Sequence, residues 1–516
     1  MQASNQPYYW TTPTQQHMDQ NLYLGDVSQG SHFSDQTPEL ANNSSSSVSF
    51  SSDGSPISLQ DSYSFQPDPY HSPDYTYTSH VSTAGFEANV DDLQLRLSEI
   101  QTILDTDQDF AESFDVSSWA ETGLDNIHPV NNQYRIMKQI IAKGDLKEGL
   151  FACAKAVAEN DTVTAEWLIS MLRPLVSVSG EPVQRLGAYM LEGLVARMSS
   201  SGSFIYKALK CKEPTGGELF SYMLLLYEAC PYFKFGYLSA NGAIAEAIKN
   251  EDKVHIIDFQ IAQGGQWVTL IQALAARPGG PPKLRITGID DARNSFARGG
   301  GLNIVGQRLS KLAELCKVPF EFHAVAVSGS DIELHHFKVQ PGEALVVNCA
   351  FVLHHVPDES VNPQNHRDRL LRLIKSLSPK VVTLVEQEAN VNTAKFFHRF
   401  QEVFSCYLAM FESIDAALER DHKERINIEQ HCLAGEIVNI LACEGVEREE
   451  RHELLGKWRS RFTMAGFTPY PLSSYVNGTI KTLLEKYCDK YRLVERDGAL
   501  FLGWMNRDLV SSCAWN

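Results

Sequence analysis

From Lys253 onward the chain switches to a pattern that few folds accommodate. Lys253-Val254-His255-Ile256-Ile257-Asp258 is a short apolar run ending in an acid, suited to a strand buried on both faces. A turn, Gln263-Gly264-Gly265-Gln266, then opens an apolar helix over 267–276. The alternation repeats, with strands expected at 284–289, 320–327, 344–348 and 380–386 and helices at about 296–317, 366–377 and 393–420. Strand-helix-strand units of this kind close into a parallel sheet wound on both faces by right-handed crossovers. Near the C-terminus, Arg496-Asp497-Gly498 separates apolar arms at 491–495 and 499–504, a hairpin signal.

The expected fold class is therefore α/β, a doubly wound, mostly parallel sheet of methyltransferase-like (Rossmann-type) layout. Ahead of it, from 134 to about 250, the pattern is helical. Leu146, Leu150, Cys153, Ala154 and Val157 form one stripe, Leu168, Leu172 and Leu175 a second, and Leu186, Met190, Leu191, Leu194 and Met198 a third. No stripe persists for the three to four heptads of a coiled coil, so core packing in an N-terminal α-helical cap is the better reading.

Charge divides the chain sharply. Residues 1–134 carry 19 Asp and Glu against the single basic Arg96, whereas 135–516 carry 44 acids and 44 Lys and Arg, so the whole net charge of -18 sits in the first quarter. That quarter is rich in Ser, Asn, Gln and Pro and reads as a disordered acidic region studded with aromatics, either an interaction tail or a passive one. Within it, Leu93, Leu97, Ile100 and Leu104 share a helix face over 92–104, to be covered by the chain's own domain or by another protein. No apolar run approaches the roughly 18 residues of a membrane span, and Met1-Gln2-Ala3-Ser4-Asn5 does not open a secretory signal. The 10 cysteines include no Cys-x-x-Cys pair, which argues for a reducing compartment.

Ligands of doubly wound sheets sit at the carboxyl ends of the strands, where Asp258, Asp290, Asp291, Asn348 and Glu386 are expected. A nucleoside site needs glycines directly after the first strand, but Phe259, Gln260 and Ile261 occupy that approach, so Asp258 is read as pinning the loop or capping the next helix. The adjacent pairs His335-His336 and His354-His355 are not ready chelates, because neighbours diverge in a strand or a helix. The basic residues Arg367, Arg369, Arg372 and Lys375, and Lys457, Arg459 and Arg461, are read as solvated faces, with phosphate contact as the rival. No catalytic residue, cofactor or metal ligand set follows from these residues.

Several motifs in order carry a family resemblance. Val254-His255-Ile256-Ile257-Asp258 with Gly264, Gln266 and Trp267, then Arg425 and Glu429, then Trp458-Arg459, and the closing Ser512-Cys513-Ala514-Trp515 resemble the plant GRAS family over 137–516. Cys230-Pro231-Tyr232-Phe233-Lys234-Phe235-Gly236-Tyr237 resembles its Scarecrow-like branch associated with phytochrome-A signal transduction. The resemblance implies a transcriptional regulator of light, hormone or stress signalling, without a cofactor, acting through transcription factors and other regulators. It also implies homo- or hetero-dimers with GRAS proteins, indirect rather than direct contact with DNA, no membrane, and a nuclear location with the cytoplasm left open. By the same resemblance, leucine repeats lie at about 144–204 and 304–336, a VHIID region at 223–288, a PFYRE region at 345–439 and a SAW region at 442–516. The leucine repeats would be association surfaces, the second bearing Leu302, Val305, Leu309 and Leu312. Trp504, in the hairpin, and Trp515 are expected to be structural or interaction residues, Trp515 packing on the sheet edge or a C-terminal helix. An S-adenosylmethionine-dependent methyltransferase is the alternative function.

Overall fold

Two aspartates set the first elements of the cap. Asp145 and Asp161 each accept the backbone N–H three residues on, at 3.2 and 3.1 Å, and so start helices α1 (Leu146–Ala158) and α2 (Thr162–Leu172). In α3 (Pro182–Met198) a proline occupies the first turn, where its missing N–H costs nothing. The computed structural model describes residues 145–199, 216–291 and 301–516. The expectations for 1–134, including the 92–104 helix, and for the start of the 296–317 helix lie outside them.

The three leucine stripes point inward, with Leu150, Leu168, Leu172, Leu186 and Leu194 fully buried. They share one core with α4 (Gly216–Ala229), the start of α5 (Tyr232–Ala247) and later helices. After the cap comes the alternation: β1 (Lys253–Asp258), α6 (Gly265–Ala275), β2 (Lys283–Ile289), α7 (Leu302–Leu315), β3 (Phe320–Val325), β4 (Ala344–Ala350), α8 (His366–Ser376), β5 (Val381–Gln387) and α9 (Phe396–Ala417). Next are α10 (Lys423–Ile428), a π turn (Glu429–Leu433), α11 (Ala434–Ala442), α12 (Leu455–Met464), β6 (Pro469–Tyr470), α13 (Ser474–Leu484), β7 (Tyr491–Arg496), β8 (Ala499–Trp504) and β9 (Arg507–Trp515).

The sheet order is β3-β2-β1-β4-β5-β9-β8-β7, the first five strands parallel and the last three antiparallel. This is the doubly wound, methyltransferase-like layout, with the chain reversing direction at β1 between β2 and β4. Alternate residues face two cores. Ile257, Val347, Leu384, Phe501 and Trp515 pack with α8 and α12 on one side. Val254, Ile256, Leu284 and Val346 pack with α6 and α7 on the other. Asp497 and Gly498 have φ of +53° and +70°, the two left-handed positions of a tight hairpin turn.

Strand β9 seats Trp515 inside the sheet, not at its edge: it ends a strand inserted between β5 and β8, pairing with Val382 and with Pro469 of β6, while its side chain packs on the C-terminal helix α12. It is 2% exposed, and its indole stacks on Phe462 at 4.9 Å.

Candidate functional site at the carboxyl ends of the strands

Asp258, the last residue of β1, is the hub of a buried polar network. Its Oδ2 accepts from Trp267 Nε1 at 2.7 Å, and its Oδ1 accepts from Asn348 Nδ2 at 3.0 Å. Asn348 also faces Gln266, at 3.0 and 3.1 Å, and its Oδ1 accepts from Thr383 Oγ at 2.8 Å. Asn241 Nδ2 donates to the Gln266 carbonyl at 2.8 Å. Side chains from α5, β1, α6, β4 and β5 thus satisfy one another. Burial nevertheless pushes the Asp258 carboxyl up to about 6, against the pull of these donors.

The turn after β1 lies across the neighbouring strand ends. Phe259 N–H donates to the Asn348 carbonyl and Ile261 N–H to the Ile289 carbonyl, both at 3.1 Å. Phe259 and Ile261 are each 3% exposed, packed into the cores on the two sides of the sheet. Gly264 caps α6 with φ of +79°, and a Cβ there would lie 2.9 Å from Val305 Cγ1, so the position admits only glycine without strain. The cavities of about 430 and 520 Å³ elsewhere draw no lining residue from β1, β2 or this turn.

On β1, His255 is buried between Thr287 Oγ, 2.8 Å from Nε2, and Arg285, whose Nη2 lies 3.1 Å from Nδ1. Burial, helped by Arg285, brings its pKa down to about 4, so the ring is neutral at pH 7. At the end of β5, Glu386 accepts from the N–H groups of Val352 and Leu353 at 3.2 and 2.8 Å and lies 2.6 Å from His354 Nδ1. Burial pushes its carboxyl up to about 7.

The remaining motif residues fall elsewhere. Arg425 and Glu429 belong to a network in which buried Glu429 meets buried Arg425 at 2.7 Å and buried Arg185 at 2.9 Å, while Arg185 also meets the partly exposed Asp415 at 2.8 Å. Trp458 is buried under the Arg367 guanidinium at 4.8 Å, and Arg459 reaches the Asp497 carbonyl of the hairpin turn. Trp504 is buried and donates to Glu412 at 3.0 Å.

Two expectations change. Leu302, Val305, Leu309 and Leu312 are buried at 0–5% exposure against the sheet and the β1 turn, so this face of α7 is core and not an association seam. The basic residues on α8 are not a solvated phosphate face either. Arg367 is buried, Arg369 donates to the carbonyls of Ser330 and Ile332 at 2.6 and 3.0 Å, and Arg372 alone of the four is exposed. Arg461 is likewise buried, held by Glu453, Asp358 and Asp368 at 2.8–2.9 Å. Sequence reasoning missed the meeting of His354 with Glu450 and His452. The signal available was an acid-x-His spacing at 450–452, too far along the chain to be linked to His354 by pattern.

The comparisons agree with this architecture. The GRAS domain family model matches residues 146–516. Scarecrow-like protein 5 of Arabidopsis thaliana is 66% identical over 429 residues, 83% of this chain and 71% of that protein. Scarecrow-like transcription factor PAT1 of the same plant is 64% identical over 433 residues, 83% of this chain and 86% of that protein. The crystal structure of SCL7 in Oryza sativa superposes with a TM-score of 0.63 at 36% identity, covering 72% of this chain and 99% of that one. The chain belongs to the GRAS family and to its Scarecrow-like members.

Proposed function

We propose that the chain is a plant transcriptional regulator that acts through protein-protein contacts with transcription factors and other regulators, and that it is not an enzyme. One observation carries the reading. At the switch point of the sheet, Phe259 and Ile261 fill the cofactor approach, and Asp258 is spent on Trp267 and Asn348. A nucleoside-binding sheet keeps glycines at this turn so that the backbone can approach the cofactor. The name of the relative PAT1, a Scarecrow-like transcription factor, supports the regulatory reading.

In this account the 137–516 region presents partner surfaces, pairs with further GRAS chains as homo- or hetero-dimers, and reaches DNA through its partners. It works in the nucleus, in light, hormone or stress signalling, with phytochrome-A transduction the first branch to test. No helix among the described residues is long and apolar enough to cross a membrane. The acidic segment 1–134 supplies the activating contacts through its aromatics. Fusing the full chain to a heterologous DNA-binding domain tests this: a reporter should respond, and replacing the aromatics of 1–134 by Ser should weaken the response. Output equal to that of the DNA-binding domain alone would overturn the reading.

A further inference from the structure

The loop after β4 and the segment before α12 meet at the carboxyl ends of β4 and β5, where they bring together three potential ligands. His354 Nε2 lies 3.4 Å from Glu450 Oε2, and His452 Nε2 lies 3.5 Å from the same oxygen. One ligand atom from each residue falls within 4.8 Å of the others. His354 and His452 are 5% and 2% exposed. Among the described residues, His452 Nδ1 is buried without a hydrogen-bond partner, and His452 Nε2 and Glu450 Oε2 meet only at 3.5 Å, beyond an ordinary hydrogen bond, an expensive arrangement for a folded protein to keep.

We propose that His354 Nε2, Glu450 Oε2 and His452 Nε2 form a binding site for one zinc ion. Bonds of about 2.1 Å at tetrahedral angles set ligand atoms roughly 3.4 Å apart, which matches both measured edges. His354 Nδ1 faces Glu386 Oε2 at 2.6 Å, the carboxylate-histidine pairing that fixes the tautomer and leaves Nε2 free to ligate. Glu386 is itself held by the N–H groups of Val352 and Leu353, so the first ligand is locked in place. Two imidazoles and one carboxylate suit zinc and not the all-oxygen preference of calcium or magnesium.

His355, its ring 3.9 Å from that of His354 and its side chain 39% exposed, marks the side open to solvent, where a water takes the fourth position. The ion would clasp the 448–453 segment to the ends of β4 and β5.

Elemental analysis of the full-length chain, purified on a tag without histidines and supplied with zinc, tests the site. About one zinc per chain is expected, together with a rise in melting temperature of at least ~3 °C over chelator-treated protein that magnesium does not reproduce. Cobalt in place of zinc should give the visible bands of a tetrahedral ion, and Glu450→Gln and His452→Ala should each lose both the stoichiometry and the thermal shift. The cobalt spectrum is read on the unaltered chain, so it stands even where His452→Ala folds poorly. Unaltered protein that stays metal-free with an unchanged melting temperature, or one zinc retained in a folded Glu450→Gln/His452→Ala chain, would overturn the proposal.

Discussion

The two halves of the sheet's ligand edge differ in how completely their polar groups are matched. At the end of β1, Asp258, Asn348, Gln266 and Trp267 pair with one another. At the ends of β4 and β5, Glu386 is well bound, but Glu450 and His452 keep buried atoms with no hydrogen bond of ordinary length among the described residues. Both sites rest on neighbouring strands of one fold. The first is a closed structural latch, whereas the second keeps unmet hydrogen-bonding capacity. A fold that places ligands at strand ends does not oblige every strand end to bind one.

The largest effect should come from the element both halves share. Strand β9 closes the sheet beside β5, and Trp515→Ala removes an indole packed on Phe462 and on the α8 and α12 core. A loss of about 3–5 kcal/mol is expected by chemical denaturation. A melting temperature that is unchanged while partner binding disappears would instead make Trp515 a contact residue.

Next comes the latch itself. Asp258→Ala strips the acceptor from Trp267 Nε1 and Asn348 Nδ2, and leaving buried donors unpaired costs about 1–3 kcal/mol each. A variant as stable as the parent would mean that the network is not closed and that the contrast between the two halves is false.

A smaller effect is readable in pH. The Asp258 carboxyl sits at about 6 in the folded chain against an ordinary 3.8. Between those values the folded chain holds a proton that the unfolded chain has released. Its contribution is therefore fully present below 3.8 and is lost as pH rises through about 6. His255, lowered to about 4 from 6.5, gives the opposite slope, with stability rising as pH climbs between those values. Melting curves from pH 4 to 7, taken as the parent minus Asp258→Asn, should show the falling slope alone; a flat difference would place Asp258 outside the buried network.

Least affected should be Arg372→Ala, at an exposed position of α8, within about ±0.5 kcal/mol of the parent. A larger loss would reveal a partner for this side chain that α8 does not display.

What the sequence disclosed follows from which interactions are local. Apolar runs such as 254–257 mark buried strands by themselves, and the bulk of Phe259 and Ile261 announced the closed turn because steric occupancy is a property of the residue. Strand β9 was not legible. Ser511 and Ser512 interrupt its apolar pattern, and they are tolerated inside because Ser512 pairs with Ser239 of α5 at 2.7 Å, a contact made only on folding. The α7 stripe was legible as a stripe, but nothing in its spacing says whether it faces its own sheet or another chain. Arg367 and Arg461 read as surface charges because their partners Asp358 and Glu453 are assembled from separate segments.

Titrating the full-length chain with S-adenosylmethionine by calorimetry addresses the closed β1 end most directly. The account predicts no saturable heat, because Phe259 and Ile261 fill the approach and Asp258 is already paired. Saturable binding in the low micromolar range that is lost in a folded Asp290→Ala chain would contradict it.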